Sequence, residues 1–179
     1  MGGTLLREMF SRTAVSCLFA LLTFAPGAHA QNVRTIFFVR HADKVSDETD
    51  ALLSDAGHRR AECLAKMLAD AHIQKIYTSD LQRTQQTAAP LAEQLHLKPV
   101  AIPLSKPDDL IEAIRSEKAA NVLVVWHDAT LPRILRALGA PEIPPIAHTE
   151  YDRFFILTFS SIKNSTPGFI VLRYCDGAR

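Results

Sequence analysis

The sequence predicts a single three-layer α/β/α domain with a mostly parallel sheet and a C-terminal antiparallel hairpin. Three observations carry this. Several short β-rich apolar runs lack the polar–apolar alternation of a half-buried strand, which marks strands buried on both faces. They alternate with stretches whose apolar residues recur at three- and four-residue steps, the order of a parallel sheet covered by helices. The last two β-rich runs succeed one another across a turn segment, with no helix between them.

In chain order, Thr35 to Val39 is the first buried strand. Ser54 is a good N-cap, and Ala61, Leu64, Ala65, Leu68 and Ala69 mark a helix to about Ala71. Ile73 to Tyr77 is the second strand. From about Asp80 to His96, Leu81, Thr84, Ala88, Leu91 and Leu95 form a second helical stripe, which Pro90 is expected to bend or delay. Val100 to Ile102 is a third strand, and Asp108 to Ser116 a short helix begun after Pro107. Asn121 to Trp126 reads as the central strand, and Leu131 to Leu138 as a helix stopped by Gly139 and Pro141. Phe154 to Phe159 and Phe169 to Tyr174 form the hairpin, with Asn164, Pro167 and Gly168 as turn residues.

Residues 1–30 stand apart. Arg7 and Arg12 precede an apolar run from Ala14 to Phe24, a Pro26-Gly27 break and the exit Ala28-His29-Ala30. This is the pattern of a secretory signal peptide, with cleavage expected after Ala30. The domain is then residues 31–179, and its expected location is periplasmic or secreted. Of the 20 Lys+Arg and 19 Asp+Glu, Arg7, Arg12 and Glu8 fall in the leader, which leaves 18 of each and no net charge. A neutral domain is not a strongly basic nucleic-acid binder. A content of 47% hydrophobic residues excludes a disordered chain, and no apolar run after the leader approaches the ~18 residues of a membrane span. Cys63 and Cys175 remain after the leader, with no CxxC and no zinc-type spacing. An exported chain permits a disulfide between them. Cys63 lies on a predicted helix that nothing in the sequence brings to Cys175, so two separate thiols are expected.

Ligands of such sheets bind beyond the carboxyl ends of the strands, so the polar residues directly after each strand are the candidates. The first strand ends in Arg40-His41-Ala42-Asp43, and the second in Thr78-Ser79-Asp80 with Arg83 one turn on. The central strand ends in His127-Asp128. Two arginines beside two histidines suit a tetrahedral oxyanion, because guanidinium groups match phosphate oxygens bidentately and keep their charge. A neutral histidine can attack phosphorus, and a second can steady an oxygen as charge builds. No metal and no cofactor is required.

Four blocks carry a resemblance. Arg40-His41-Ala42-Asp43-Lys44 comes after an apolar strand, and Leu53-Ser54-Asp55-Ala56-Gly57-His58-Arg59-Arg60-Ala61 opens a helix. Tyr77-Thr78-Ser79-Asp80-Leu81-Gln82-Arg83-Thr84-Gln85-Gln86-Thr87-Ala88 spans a strand end and a helix start, and Val122 to Pro132 surrounds His127. In this order they resemble the histidine phosphatase superfamily, which includes the phosphoglycerate mutases. The resemblance implies that His41 is the nucleophile that becomes phosphohistidine, with its tautomer fixed by a backbone carbonyl. It also implies that Arg40, Arg83 and His127 line the phosphate pocket.

The departures bear on chemistry. Trp126 stands where the family has Gly, either as a pocket wall or as core packing. Asp128 comes directly after the second His, as in the branch whose His-Asp pair protonates the leaving group, and is taken as the acid. No Glu matches the mutase-like branch's acid; Asp108, Asp109 and Glu112 are the other candidates, and Glu117 falls in the same interval. Lys44 is a candidate for a substrate anion. His58, Arg59 and Arg60 read as a solvated helix face, and His72 and His96 as structural helix-end residues. His148, Glu150 and Tyr151 are candidates for the substrate wall.

The expected activity is hydrolysis of phosphate monoesters, a phosphoric monoester hydrolase acting through phosphohistidine. The alternative is a non-catalytic phosphate- or phospholigand-binding protein on the same fold, motivated by Trp126 and the missing Glu. The expected partner is a phosphorylated small molecule or a phosphorylated cell-envelope component, not nucleic acid. Substrate identity and oligomeric state are not legible.

Overall fold

The computed structural model describes residues 33–160, 162 and 165–175. The expected signal peptide, residues 1–30, lies outside the described residues. The elements are β1 (Arg34–Arg40), α1 (Asp55–Leu68), β2 (Lys75–Ser79), α2 (Gln82–Gln94), β3 (Val100–Ile102), α3 (Pro107–Ser116), β4 (Asn121–Trp126), α4 (Leu131–Ala137), β5 (Arg153–Phe159) and β6 (Gly168–Arg173). They form one sheet in the order β3-β2-β4-β1-β5-β6. β1 to β4 run parallel, while β5 pairs antiparallel with β1 and β6 antiparallel with β5. The single α/β domain with a terminal hairpin is therefore as expected.

The unalternating apolar strands feed two cores. In β4, Val122, Val124 and Trp126 join one apolar cluster, with Leu110, Ile114, Leu131 and Ile134 of α3 and α4. Leu123 and Val125 join the other, with Leu64, Leu68, Ala88 and Leu91 of α1 and α2. Successive side chains point to opposite faces, so a strand covered by helices on both sides must be apolar at every position. β6 is the exception: Ile170, Val171 and Leu172 are exposed on the sheet edge.

Three boundaries move for one reason. α1 stops at Leu68 and β2 starts at Lys75, later than expected, and α2 ends at Gln94. His72 (φ 51°) and His96 (φ 54°) adopt the left-handed conformation in the turns after these helices. That is a common way to end a helix, usually with Gly or Asn, and the sequence offers neither here. These histidines therefore turn the chain rather than only meeting a helix dipole. α2 runs through Pro90.

The expectation of two separate thiols is corrected: Cys63 of α1 and Cys175, just past β6, form a disulfide, with Cα atoms 6.1 Å apart. The cause lies in a buried guanidinium. Arg60, expected on a solvated face, is buried; its Nη1 donates to the Cys175 carbonyl at 3.1 Å and reaches the Tyr174 carbonyl at 3.5 Å. Cys175 itself turns at φ 53°, so the chain after β6 folds back onto α1. His58 and Arg59 are exposed as expected.

Candidate active site

The three strands that end in the candidate residues are neighbours in the sheet, β2-β4-β1. Their carboxyl ends therefore bring Arg40, His41, Arg83, His127 and Asp128 to one rim. The His41 amide continues the ladder by donating to the Trp126 carbonyl at 2.9 Å.

The loop that carries His41 is braced from two sides. The Ala42 amide donates to Thr87 Oγ1 at 2.9 Å, and Thr87 in turn donates to the Arg83 carbonyl at 2.7 Å. Ser54 caps α1 by accepting from the Gly57 amide, and its own amide donates to the Asp43 carbonyl at 2.9 Å. A Cβ on Gly57 would stand 2.1 Å from that carbonyl oxygen, so only glycine lets α1 approach. Arg60 Nε donates to Asp43 Oδ2 at 2.7 Å, and the Leu53 amide donates to Gln86 Oε1 at 2.8 Å. The expected motif blocks thus act largely as scaffolding. Ser54, Gly57, Arg60, Gln86 and Thr87 position the His41 loop, a role the sequence alone does not show.

His41 Nδ1 lies 2.8 Å from the Ala42 carbonyl, the backbone group expected to fix the tautomer. A carbonyl only accepts, so Nδ1 carries the proton and Nε2 presents a lone pair. Burial, opposed by the Ala42 bond and reinforced by His127, Arg40 and Arg83, pushes the His41 pKa down to about 3. The ring lies 5.3 Å from the His127 ring and 5.9 Å from the Tyr151 ring.

His127 is held at both nitrogens. Arg83 Nη2 lies 3.3 Å from Nδ1 and Ser79 Oγ lies 2.8 Å from Nε2. Since a guanidinium can only donate, Nδ1 accepts and Nε2–H donates to Ser79. Ser79 stands 2.9 Å from Thr84 Oγ1, and Thr84 donates to the Leu81 carbonyl at 2.8 Å. The chain of donors therefore runs from His127 through Ser79 and Thr84 to the backbone. Burial first, then Arg83 and Arg40, push the His127 pKa down to about 3. Ser79 and Thr84 have no role visible in the sequence blocks; the fold brings them to orient a histidine 48 residues from Ser79.

The arginines divide their donors. Arg40 Nη1 donates to the carbonyls of Ala147, His148 and Glu150 at 2.9, 2.9 and 3.1 Å. Its guanidinium lies over Tyr151 at 4.1 Å, and its Nη2 is 3.3 Å from Asp128 Oδ2. Arg83 Nη1 donates to the Thr49 carbonyl at 2.5 Å. The Nε atoms of both arginines are buried without a hydrogen-bond partner among the described residues. Two unpaired guanidinium donors at the rim that carries a neutral imidazole suit an oxyanion, and burying them unpaired is costly.

Among the candidate acids, Asp128 alone touches this constellation. Its Oδ2 also lies 2.7 Å from His148 Nδ1. Asp108 pairs with Arg133 at 2.5 Å, Asp109 faces Lys106 at 3.8 Å and Glu112 is exposed. Glu117 accepts from Tyr77 Oη at 2.7 Å, and its carbonyl meets Arg34 at the start of β1, the opposite end of that strand from His41. Lys44 pairs with Asp47 at 2.7 Å. His148 and Tyr151 do reach the site, while the Glu150 carboxylate turns to Arg173 at 2.6 Å. Trp126 is fully buried in the core; its Nε1 donates to Thr130 Oγ1 at 2.9 Å, and its ring stands edge-on to His127 at 5.7 Å. Of its two expected roles, core packing is the one observed.

The chain resembles known proteins in sequence and in fold. Residues 36–113 match the model of the histidine phosphatase superfamily, branch 1. A probable phosphoglycerate mutase of Yersinia enterocolitica is 36% identical over 75 residues, covering 38% of this chain and 35% of that protein. The match therefore spans about a third of the curated relative. Among solved structures, a mycobacterial protein described as hydrolase 2 superposes with a TM-score of 0.62 at 15% identity, over 78% of this chain and 89% of that one. The protein histidine phosphatase SixA, complexed with tungstate, gives 0.58 at 20% identity, over 78% and 96%. A mycobacterial glucosyl-3-phosphoglycerate phosphatase with inorganic phosphate gives 0.61 at 16% identity, over 81% and 98%. At these identities the structures speak for the fold. With the sequence match across the Arg40–His41 and Arg83 blocks, the chain resembles the histidine phosphatase superfamily over residues 36–113.

Proposed function

We propose that this protein is a phosphatase that hydrolyses phosphate monoesters through a phosphohistidine on His41. The observation that carries the reading is the neutral, tautomer-fixed His41 beside the unpaired Nε atoms of Arg40 and Arg83. His41 Nε2 attacks phosphorus as the ester P–O bond breaks, and the arginine donors hold the phosphoryl oxygens. The leaving alkoxide takes a proton from Asp128, whose Oδ2 lies 2.7 Å from His148 Nδ1. Water then attacks the phosphohistidine, gives a proton back to Asp128, and the P–N bond breaks to release phosphate. His127 keeps Arg83 in place through Nδ1.

The family includes mutases as well as phosphatases. No long insertion between Arg83 and Asn121 supplies a lid that would keep water from the phosphohistidine, which favours hydrolysis. Export favours a phosphorylated small molecule or cell-envelope component as the substrate. The Cys63–Cys175 disulfide supports export, because such bonds persist in oxidising compartments.

The test is turnover of p-nitrophenyl phosphate by the purified protein, with acid-labile phosphate trapped on it. His41→Ala is expected to abolish both. Full activity in that variant would end the assignment. Phosphate binding without turnover or phosphoenzyme in the unsubstituted protein would instead favour a binding protein.

A further inference from the structure

A cavity of about 530 Å³ lies between α4 and the 142–148 segment. Asp128 and His148 line it, and Asp128 Oδ2 is also 3.3 Å from Arg40 Nη2. The cavity and the phosphate site therefore share a wall. Its size suits a whole organic ligand rather than a phosphoryl group alone. Ile143 and Ile146, both nearly buried, contribute apolar surface to it.

Charge on the lining is unevenly matched. Arg133 is paired with Asp108, and Asp128 lies against Arg40 and His148. Arg136 and Glu142 also line the cavity, both exposed, and neither side chain has a polar partner among the described residues. A free guanidinium recognises one carboxylate or phosphate bidentately. A carboxylate in the same lining repels a second anion and so disfavours polyanions.

We propose that this cavity receives the leaving group of the substrate, an alcohol with an apolar body and a single anionic group directed to Arg136. The proposal rests on the phosphatase reading above. It names a specificity site outside the groups that handle the transferred phosphoryl.

The experiment compares an ω-carboxyhexyl phosphate with heptyl phosphate, using p-nitrophenyl phosphate as the reference. Arg136→Ala is expected to raise KM for the carboxylated ester about tenfold, the loss of one charge-assisted contact, and to move that for heptyl phosphate less than about twofold. Glu142→Gln is expected to act in the opposite direction on the carboxylated ester alone. Equal effects on both esters, or none, while p-nitrophenyl phosphate is still turned over, would overturn the cavity assignment and leave the phosphatase reading intact. Absence of turnover on all three by the unsubstituted protein would overturn that reading, and the leaving-group assignment with it.

Discussion

Ser79 Oγ lies 2.8 Å from His127 Nε2 at the end of β2, and His127 Nδ1 lies 3.3 Å from Arg83. One serine hydroxyl thus sets the tautomer of a histidine whose other nitrogen steadies Arg83. Ser79→Ala leaves a buried N–H unpaired, which costs about 1–3 kcal/mol of stability. It also frees the imidazole to rotate, and kcat on p-nitrophenyl phosphate is expected to fall about tenfold, equivalent to about 1.4 kcal/mol. Denaturant titration and steady-state kinetics check the two parts. Unchanged kcat with reduced stability would assign Ser79 to folding alone.

Gly57 tests the scaffold under His41. A methyl group there meets the Asp43 carbonyl oxygen at 2.1 Å, and Asp43 sits two residues from His41. The contact is with backbone, so α1 or the loop must move. Gly57→Ala is expected to destabilise the fold by about 1–3 kcal/mol, the range of overpacking. A midpoint equal to that of the unsubstituted protein would show that the loop yields freely.

The disulfide closes a sequence separation of 112 residues. On the chain-entropy account, a loop of that length is worth about 4–5 kcal/mol. Reduction is expected to lower the denaturation midpoint strongly. Because Arg60 joins the Cys175 carbonyl to the Asp43 carboxylate, loosening the C-terminal end should also reach the His41 loop. Activity of the reduced but still folded protein is therefore expected to fall, measured below its new midpoint. Unchanged activity would show that Arg60 holds Asp43 without the bond.

The fold and the polar rim were legible for a common reason. Strands such as Asn121–Trp126 are apolar at every position, and a parallel sheet places the residues just beyond them on one edge. Arg40, His41, Arg83 and His127 could be found by looking for polar residues at the carboxyl end of each strand. The illegible features all depend on partners distant in sequence. Arg60 looks like any exposed helical arginine until the chain end folds over it. Cys175 has no local signal that brings it to Cys63. His72 and His96 occupy left-handed positions where Gly would have announced the turn. Asp128 and Asp108 are equally acidic in the sequence. Only the packing of α3 against α4 turns Asp108 to Arg133 and leaves Asp128 beside Arg40.

The two histidines make a stability prediction of definite sign. Both have pKa values pushed down to about 3 in the folded protein, chiefly by burial. An unfolded histidine titrates near ~6.5, so the unfolded state binds more protons as the pH drops. The neutral forms contribute stability that is fully present above about pH 6.5 and is lost as the pH falls toward 3. The slope is about 1.4 kcal/mol per pH unit for each histidine within that window. Denaturant midpoints measured from pH 7 down to the acid limit of folding are expected to fall accordingly, and His41→Asn should remove about half of the slope attributable to the pair. A bound oxyanion favours the protonated rings, so inorganic phosphate is expected to flatten the dependence. Stability independent of pH across this window, with and without phosphate, would show that the two rings are hydrated in solution and would remove the electrostatic basis for a neutral His41 nucleophile.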